Sequence, residues 1–432
     1  MTVSFVIVFL LGILAILLML GCPIGWAILV SSTFSLFIQH LDPSIATLRL
    51  VAAADSFVLT AVPLFIFAGI LMREGGITKR ILDFSMILLG HYRGALGHIN
   101  IFASMVFGGI SGSAVADTAS IGTILIPEMI RKKYPPAVSA AITAVSSTIG
   151  IVIPPSIPMI LYAMVSQTSI GRLFLAGIIP GILVGVFMMI ITAFISAREG
   201  YGKERDTLPT FKEIAIGFKD CIFALTMPLI IIGGIMFGFV TATEASAIAV
   251  LYALILGFFV FKELKLRNMF SLLKEVVRRT AVVLLIVTAA KLLGFLLAYG
   301  QIPQKVAMAL LSVSDNPLIV LLIINIILLI TGTFADISPN ILILVPIFMP
   351  IINQLGIDPV HFGMIIIVNL GIALVTPPVG SCLYITSTLA NCTIEEVFFA
   401  GIPYLIANLL VLAFITLFPN VVLWLPNLLM PI

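Results

Sequence analysis

The sequence predicts an all-α polytopic membrane protein made of two inverted-topology repeats, each with a re-entrant helical hairpin and a transmembrane helix broken at a Pro-Pro pair. Hydrophobic residues make up 61% of the chain and charged residues 9%, whereas a soluble domain carries roughly 25% charged residues. Apolar runs near the about 20 residues that cross a bilayer recur at Val3 to Leu20, Ile24 to Gln39, Phe57 to Met72, Ala137 to Val165 and Leu173 to Ala197, and continue to Leu423. Between these runs the same polar interruptions are written twice.

In chain order, residues 1–197 are expected as repeat one. Scaffold spans fill 1–72, an amphipathic arm about 76–90, hairpin one about 97–130, a broken helix 137–165 and a last span 173–197. The polar stretch 198–212 is the linker. Repeat two, 213–432, is expected to hold scaffold spans 213–262, an arm about 270–282, a span 283–300, hairpin two about 317–352, a broken helix 360–389 and a last span 395–425. The arms place Lys or Arg among Ile, Leu and Val, a pattern suited to lying along membrane lipid. The first apolar run lacks a basic n-region, since no Lys or Arg precedes Arg49, and reads as a retained span rather than a secretory signal.

The duplication is visible residue by residue. Gly112-Ser113-Ala114-Val115-Ala116-Asp117 matches Gly332-Thr333-Phe334-Ala335-Asp336 with one residue fewer, and Pro127 and Pro346 keep the offset of the two Asp. Gly150-Ile151-Val152-Ile153-Pro154-Pro155 resembles Ile372-Ala373-Leu374-Val375-Thr376-Pro377-Pro378, and Leu175-Ala176-Gly177-Ile178-Ile179-Pro180 resembles Phe399-Ala400-Gly401-Ile402-Pro403. An odd number of crossings per copy inverts the second copy. With five spans and a hairpin per copy, all of the 22 Lys and Arg except Arg49, Arg172, Lys291 and Lys305 fall on one side, which the positive-inside rule makes cytoplasmic. Both termini are then expected in the periplasm. The small net charge of +3, in short clusters between spans, orients the protein and does not point to nucleic acid.

Unwound backbone at membrane depth is tolerated only where protein or a cavity satisfies its polar groups. Four breaks are expected: the tips Ser111-Gly112-Ser113 and Thr331-Gly332-Thr333, and the interruptions Ser146 to Ser156 and Gly371 to Gly380. Thr376 before Pro377 and Ser338 before Pro339 fit an N-cap followed by proline at the first helical position. A helix N-terminus brought to the midplane suits a carboxylate. Freed carbonyls and the hydroxyls of Ser111, Ser113, Ser147, Thr331, Thr333 and Thr376 are hard oxygen ligands for Na⁺. The expected site therefore combines Ser111, Gly112, Ser113 and Asp117 at tip one with Thr331, Gly332, Thr333 and Asp336 at tip two. At the helix breaks it adds Ser147, Gly150, Pro154, Pro155, Ser156, Gly371, Thr376, Pro377, Pro378 and Gly380.

Each of these features also has a structural reading. Gly108 and Gly112 form a GxxxG surface for close helix packing, and a Pro-Pro pair kinks any helix, but packing alone does not call for the same polar cluster twice. Asp117 and Asp336 are candidates either for site chemistry, proton coupling included, or for capping the returning half-helix. Glu244, near the start of a span, is a further candidate cap. The four cysteines have no metal-ligand spacing and suit apolar packing. The four histidines form no zinc motif, and no Gly-x-x-x-x-Gly-Lys-Ser/Thr is present to hold ATP. Enzymatic chemistry has no support; the only expected bound ion is Na⁺, and no cofactor is expected.

Phe107 to Ala119, with Gly108-Gly109-Ile110-Ser111-Gly112-Ser113 at its centre, the Ile153-Pro154-Pro155-Ser156 break and Leu175 to Gly181 resemble the large membrane subunit of a tripartite ATP-independent periplasmic (TRAP) transporter. Gly332 to Asp336 and Thr376-Pro377-Pro378 through Gly380 extend the resemblance into the second half. It implies Na⁺-coupled uptake of an organic acid, sialic acid or another sugar acid or a C4-dicarboxylate, delivered by a periplasmic substrate-binding protein. It implies an elevator-type transporter related to the ion transporter superfamily, in the bacterial inner membrane. It also implies a small four-helix membrane subunit, expected as a separate chain because repeat one begins with the first span. A binding-protein-independent anion symporter of related architecture is the alternative, and a channel, which also uses re-entrant hairpins, is the other.

Overall fold

The computed structural model describes residues 3–431, with side chains from Phe9 onward. Met1, Thr2 and Ile432, the ends of the expected repeats and the termini expected in the periplasm, lie outside the described residues. The described residues are all-helical. The first half runs α1 (Val3–Met19), α2 (Ile24–Ile38), α3 (Ser44–Ala54), α4 (Ala61–Glu74), α5 (Ile77–Leu89), α6 (Ala95–Ser111), α7 (Ala114–Arg131), α8 (Pro136–Ser147), α9 (Ile157–Ser166) and α10 (Ile170–Glu199). The second runs α11 (Phe211–Met236), α12 (Ala242–Ile255), α13 (Leu266–Tyr299), α14 (Ile302–Val313), α15 (Pro317–Phe334), α16 (Ile337–Gln354), α17 (Pro359–Ala373), α18 (Ser381–Ala390), α19 (Ile394–Leu417) and α20 (Pro419–Leu429).

Local chemistry sets many of these boundaries. Thr210 with Glu213, Thr241 with Glu244, and Thr393 with Glu396 form capping boxes that start α11, α12 and α19, each satisfying amides the helix itself leaves bare. Glu244 thus serves a helix start. Asn316 and Asp358 accept from the backbone amides of Leu318 and Val360 at 2.9 and 2.7 Å and start α15 and α17. Eight helical stretches of the described residues have the length and apolarity of a bilayer span. Exposed Phe34, Ile190, Phe194, Leu229 and Leu322 give the outer surface an apolar character that suits lipid rather than water.

The elements differ from the expected ones in four places. The arm and span expected at about 270–282 and 283–300 are one continuous helix, α13 of 34 residues. No Pro or Gly interrupts it before Gly294, so nothing in the local chemistry ends a helix at Val282. The last span expected at 395–425 divides after Leu417. Pro419 has no amide hydrogen and keeps Phe418 out of helical geometry, at φ −122° and ψ 79°, by the ring's clash with the preceding residue. Two short helices, α3 and α14, stand where the sequence predicted no separate element.

Packing interlocks the two halves. The α4 helix packs on α12 and α13, and α2 also lies on α13. The α6–α7 pair is backed by α8 of its own half and, through α7, by α18 of the other; reciprocally α16 packs on α9. Buried Gly371 of α17 sits against Ile151, where an added Cβ would meet the Ile151 Cδ1 at 3.2 Å. Each hairpin is therefore held by a broken segment from the opposite half as well as by its own.

Candidate functional site

At the first tip, α6 ends on Gly112 with φ +63°, and its amide donates to the Gly108 carbonyl at 3.3 Å. Two constraints select glycine there: the left-handed backbone, and the Pro155 carbonyl, which would lie 2.7 Å from a Cβ. The Ser113 side chain accepts from the Ala116 amide at 3.4 Å and starts α7. The Ser111 hydroxyl accepts from the Ser113 amide at 3.1 Å and donates to Asp117 Oδ1. Asp117 is fully buried, and its Oδ2 has no hydrogen-bond partner among the described residues.

The first break faces this carboxylate. After α8 comes a 3₁₀ turn over Thr148–Ile151, and Gly150 in that turn abuts Asp117: a Cβ on Gly150 would fall 1.9 Å from Oδ2. Gly108 closes on the same residue, since its Cβ would lie 2.6 Å from the Gly150 Cα. The small-residue packing of the GxxxG pair and the polar tip are thus two faces of one contact. Ser156 accepts from the Met159 amide at 3.4 Å, starting α9, and donates to the Ile151 carbonyl at 2.6 Å.

The second hairpin turns differently. Thr331, Gly332 and Thr333 do not form an unwound tip. They lie in the last turns of α15, where the two hydroxyls donate to the Ile327 and Ile330 carbonyls at 2.9 and 2.8 Å. With one residue fewer than the first copy, the chain reverses at Ala335 and Asp336, both in extended backbone. Gly332 allows close packing instead, with a Cβ there meeting the Ala373 Cβ at 2.5 Å. Asp336 starts α16 by accepting from the Ile337 amide at 2.9 Å. Asn340 answers the freed acceptors by donating to the Ala335 and Asp336 carbonyls at 2.8 and 3.0 Å.

Ser338 and Thr376, expected from the sequence to cap helices, do not do so. Ser338 lies inside α16, which Asp336 starts. Thr376 donates to the Ile372 carbonyl at 2.8 Å, and α18 begins five residues later, behind Gly380 at φ +42°. The position after Ala335 already offers an acidic cap, so a serine two residues on has no orphan amide to take. Ser147 likewise donates back to the Thr143 carbonyl at 2.7 Å. Each tip nevertheless meets its own break by one main-chain bond: the Ile157 amide donates to the Gly112 carbonyl at 3.3 Å, and the Val379 amide to the Thr333 carbonyl at 3.2 Å. The Pro154-Pro155 and Pro377-Pro378 bonds, just before these donors, are both cis.

A cavity of about 670 Å³ brings the hairpins together. Ser111, Gly112, Ser113 and Asp336 line it, with Ser120, Ser338 and Leu374. Asp117 and Gly150 form the layer directly behind Ser111. Thr331, Gly332, Thr333, Ser147, Pro154, Pro155, Ser156, Gly371, Thr376, Pro377, Pro378 and Gly380 are not among its lining residues; they shape the segments that carry it.

Several polar groups were not singled out in the sequence. Asn100 on α6 donates to the Thr143 hydroxyl on α8 at 2.7 Å, and Asn369 on α17 donates to the Asn325 side-chain oxygen on α15 at 2.7 Å. In both halves a buried amide thus ties the hairpin to the helix behind it. Asn408 on α19 reaches across the halves to the Thr148 hydroxyl at 3.1 Å. On the α4–α13 side the cavity is lined by Arg73, Glu275, Arg278 and Arg279, with Glu275 accepting from Arg73 at 3.0 Å and from Arg279 at 2.7 Å. The i,i+4 spacing of Glu275 and Arg279 was a readable signal. Its pairing with Arg73 was not.

Chemically, the arrangement offers a partly open, partly polar recess, one fully buried carboxylate oxygen without a donor, and an arginine-rich wall. The family described as "Tripartite ATP-independent periplasmic transporter, DctM component" matches residues 11–421. The chain is 41% identical over 415 residues to the sialic acid TRAP transporter large permease protein SiaM of Vibrio cholerae, covering 95% of this chain and 96% of that one. It is 38% identical over 382 residues to the C4-dicarboxylate TRAP transporter large permease protein DctM of Pseudomonas aeruginosa, covering 88% of each. Among solved structures, the YdaH transporter of Alcanivorax borkumensis aligns with a TM-score of 0.65 at 14% identity, covering 87% of both chains. That likeness concerns the fold alone.

Proposed function

We propose that this chain, which belongs to the DctM component family of tripartite ATP-independent periplasmic transporters, carries an organic acid across the bacterial inner membrane together with Na⁺. As a large permease of that family it is a multi-pass membrane transporter subunit, not an enzyme. The solute class is taken from two relatives, one named for sialic acid and one for C4-dicarboxylates, and sialic acid or a similar sugar acid is our choice. A periplasmic binding protein delivers the acid, and a small four-helix membrane subunit completes the complex.

The observation that carries the reading is the meeting of Ser111, Ser113 and Asp336 from the two hairpins on one cavity, with the unpartnered Asp117 Oδ2 immediately behind. A buried anionic oxygen without a donor is costly. A dehydrated Na⁺ at the first tip supplies its counter-charge and takes tip carbonyls and hydroxyls as ligands. The solute carboxylate occupies the same cavity and is balanced by that cation. The two halves stand in opposite orientation, with both termini periplasmic, and the hairpins with their breaks move as an elevator against the scaffold. The α5 helix and the first turns of α13 serve as connecting arms.

Proteoliposome reconstitution tests this reading. Uptake that requires an inward Na⁺ gradient and the ligand-loaded binding protein together supports it. Uptake from free solute alone favours a binding-protein-independent symporter, and passive conductance favours a channel; either result overturns it.

A further inference from the structure

The part of the cavity lined by α4 and α13 carries a net positive charge. Arg73 on α4 and Arg278 and Arg279 on α13 line it with Glu275, and Glu74, next to Arg73 in the chain, also takes the Arg73 Nε at 3.0 Å. Both oxygens of Glu275 are engaged, one by Arg73 at 3.0 Å and the other by Arg279 at 2.7 Å. Glu275 fixes two guanidinium planes, and with Glu74 it sets two carboxylates against three guanidiniums, which leaves the charge of Arg278 as the surplus. Arg278 is exposed to the cavity, and no carboxylate of the described residues pairs with it within 4.0 Å.

A guanidinium is a rigid fork that matches a carboxylate with two parallel hydrogen bonds, and walls of one charge sign in a recess concentrate the opposite ion. We infer that Arg278, backed by Arg73 and Arg279 in the positions Glu275 gives them, is a second anion station that takes the solute's carboxylate on its way to or from the hairpin tips. The inference deepens the transport reading above and rests on it. A lipid headgroup would offer a phosphate to the same guanidinium. The cavity solute is favoured because Arg278 lines the same cavity as Ser111, Ser113 and Asp336.

The test is counterflow of radiolabelled N-acetylneuraminate and of succinate in proteoliposomes that hold the full chain with its membrane and periplasmic partners. Arg278→Gln is expected to raise the half-saturating anion concentration about three- to tenfold, the range for losing one charge-assisted contact in a half-exposed setting. Arg278→Glu is expected to raise it further and Arg278→Lys to restore part of the loss, while half-saturating Na⁺ stays at the wild-type value. In the unaltered chain, added KCl is expected to weaken anion exchange where an equal osmolality of sucrose does not, a measurement independent of how any variant folds. Wild-type anion affinity in both Arg278→Gln and Arg278→Glu would overturn the inference. So would no effect of KCl, a shift in Na⁺ affinity equal to the shift in anion affinity, or an effect that disappears when phosphatidylglycerol is left out of the vesicles. If the unaltered chain exchanges neither anion, the transport reading itself fails, an outcome distinct from normal exchange that ignores Arg278.

Discussion

Gly150 and Asp117 meet so closely that a methyl group on Gly150 would lie 1.9 Å from the Asp117 Oδ2. The contact joins the first hairpin to the first helix break, two segments the sequence separates by more than a full helix. Gly150→Ala is expected to lower stability by about 1–3 kcal/mol through overpacking and to reduce uptake. Adding Asp117→Ala removes the clashing oxygen and is expected to restore the thermal midpoint without restoring Na⁺ dependence. A double variant as unstable as Gly150→Ala would show that the clash lies elsewhere; the check is melting of the detergent-solubilised protein.

Asp117 accepts from the Ser111 hydroxyl and not from a backbone amide at the start of α7, a role filled by Ser113. Asp117→Asn is therefore expected to fold and to lose Na⁺ stimulation, with half-saturating Na⁺ raised about tenfold or more, as expected for neutralising a charged hydrogen-bonding partner. Retained Na⁺-driven uptake in a Na⁺ titration would return Asp117 to a purely structural role.

The two tips are expected to respond differently to loss of a hydroxyl. Ser111→Ala removes a donor to Asp117 from the cavity wall, whereas the Thr333 hydroxyl is spent on the Ile330 carbonyl of its own helix at 2.8 Å. Ser111→Ala should shift the Na⁺ titration more than Thr333→Ala. Equal shifts would mean that the α15 hydroxyls also act on the ion, against this account.

Asp336 has a cap to lose as well as a charge. Asp336→Ala is expected to cost about 1 kcal/mol of stability through the lost N-cap, while Asp336→Asn, an equally good cap, keeps the stability. Comparing the two by thermal melting separates the structural role of the side chain from its charge. Equal destabilisation by both would mean that the charge, not the cap, holds α16.

Much of this was legible in the sequence because it is written in composition and small-residue chemistry. The polar clusters at Ser111 to Asp117 and around Pro154-Pro155, set in apolar runs, locate the first turn and the first break. A left-handed turn needs glycine, and Gly112 supplies it. The second turn was misplaced for the same reason: Gly332 looks like Gly112, yet it serves close packing against Ala373, and the reversal falls to Ala335 and Asp336. Local pattern cannot tell a glycine required by its own backbone from one required by a neighbour. The Arg73–Glu275 pair and the Asn408–Thr148 bond were hidden because each joins positions hundreds of residues apart, and only the packing of α4 on α13 and α19 on the first break brings them together.

Residues of both hairpins line one cavity, and thiol accessibility shows whether the transported solute occupies it. In a background with Cys22, Cys221, Cys382 and Cys392 replaced by serine or alanine, Ser113→Cys on one hairpin and Ser338→Cys on the other are labelled separately with a membrane-permeant maleimide. Labelling of both is expected to slow when Na⁺ and N-acetylneuraminate are present together. Protection at one position with none at the other would contradict a common cavity.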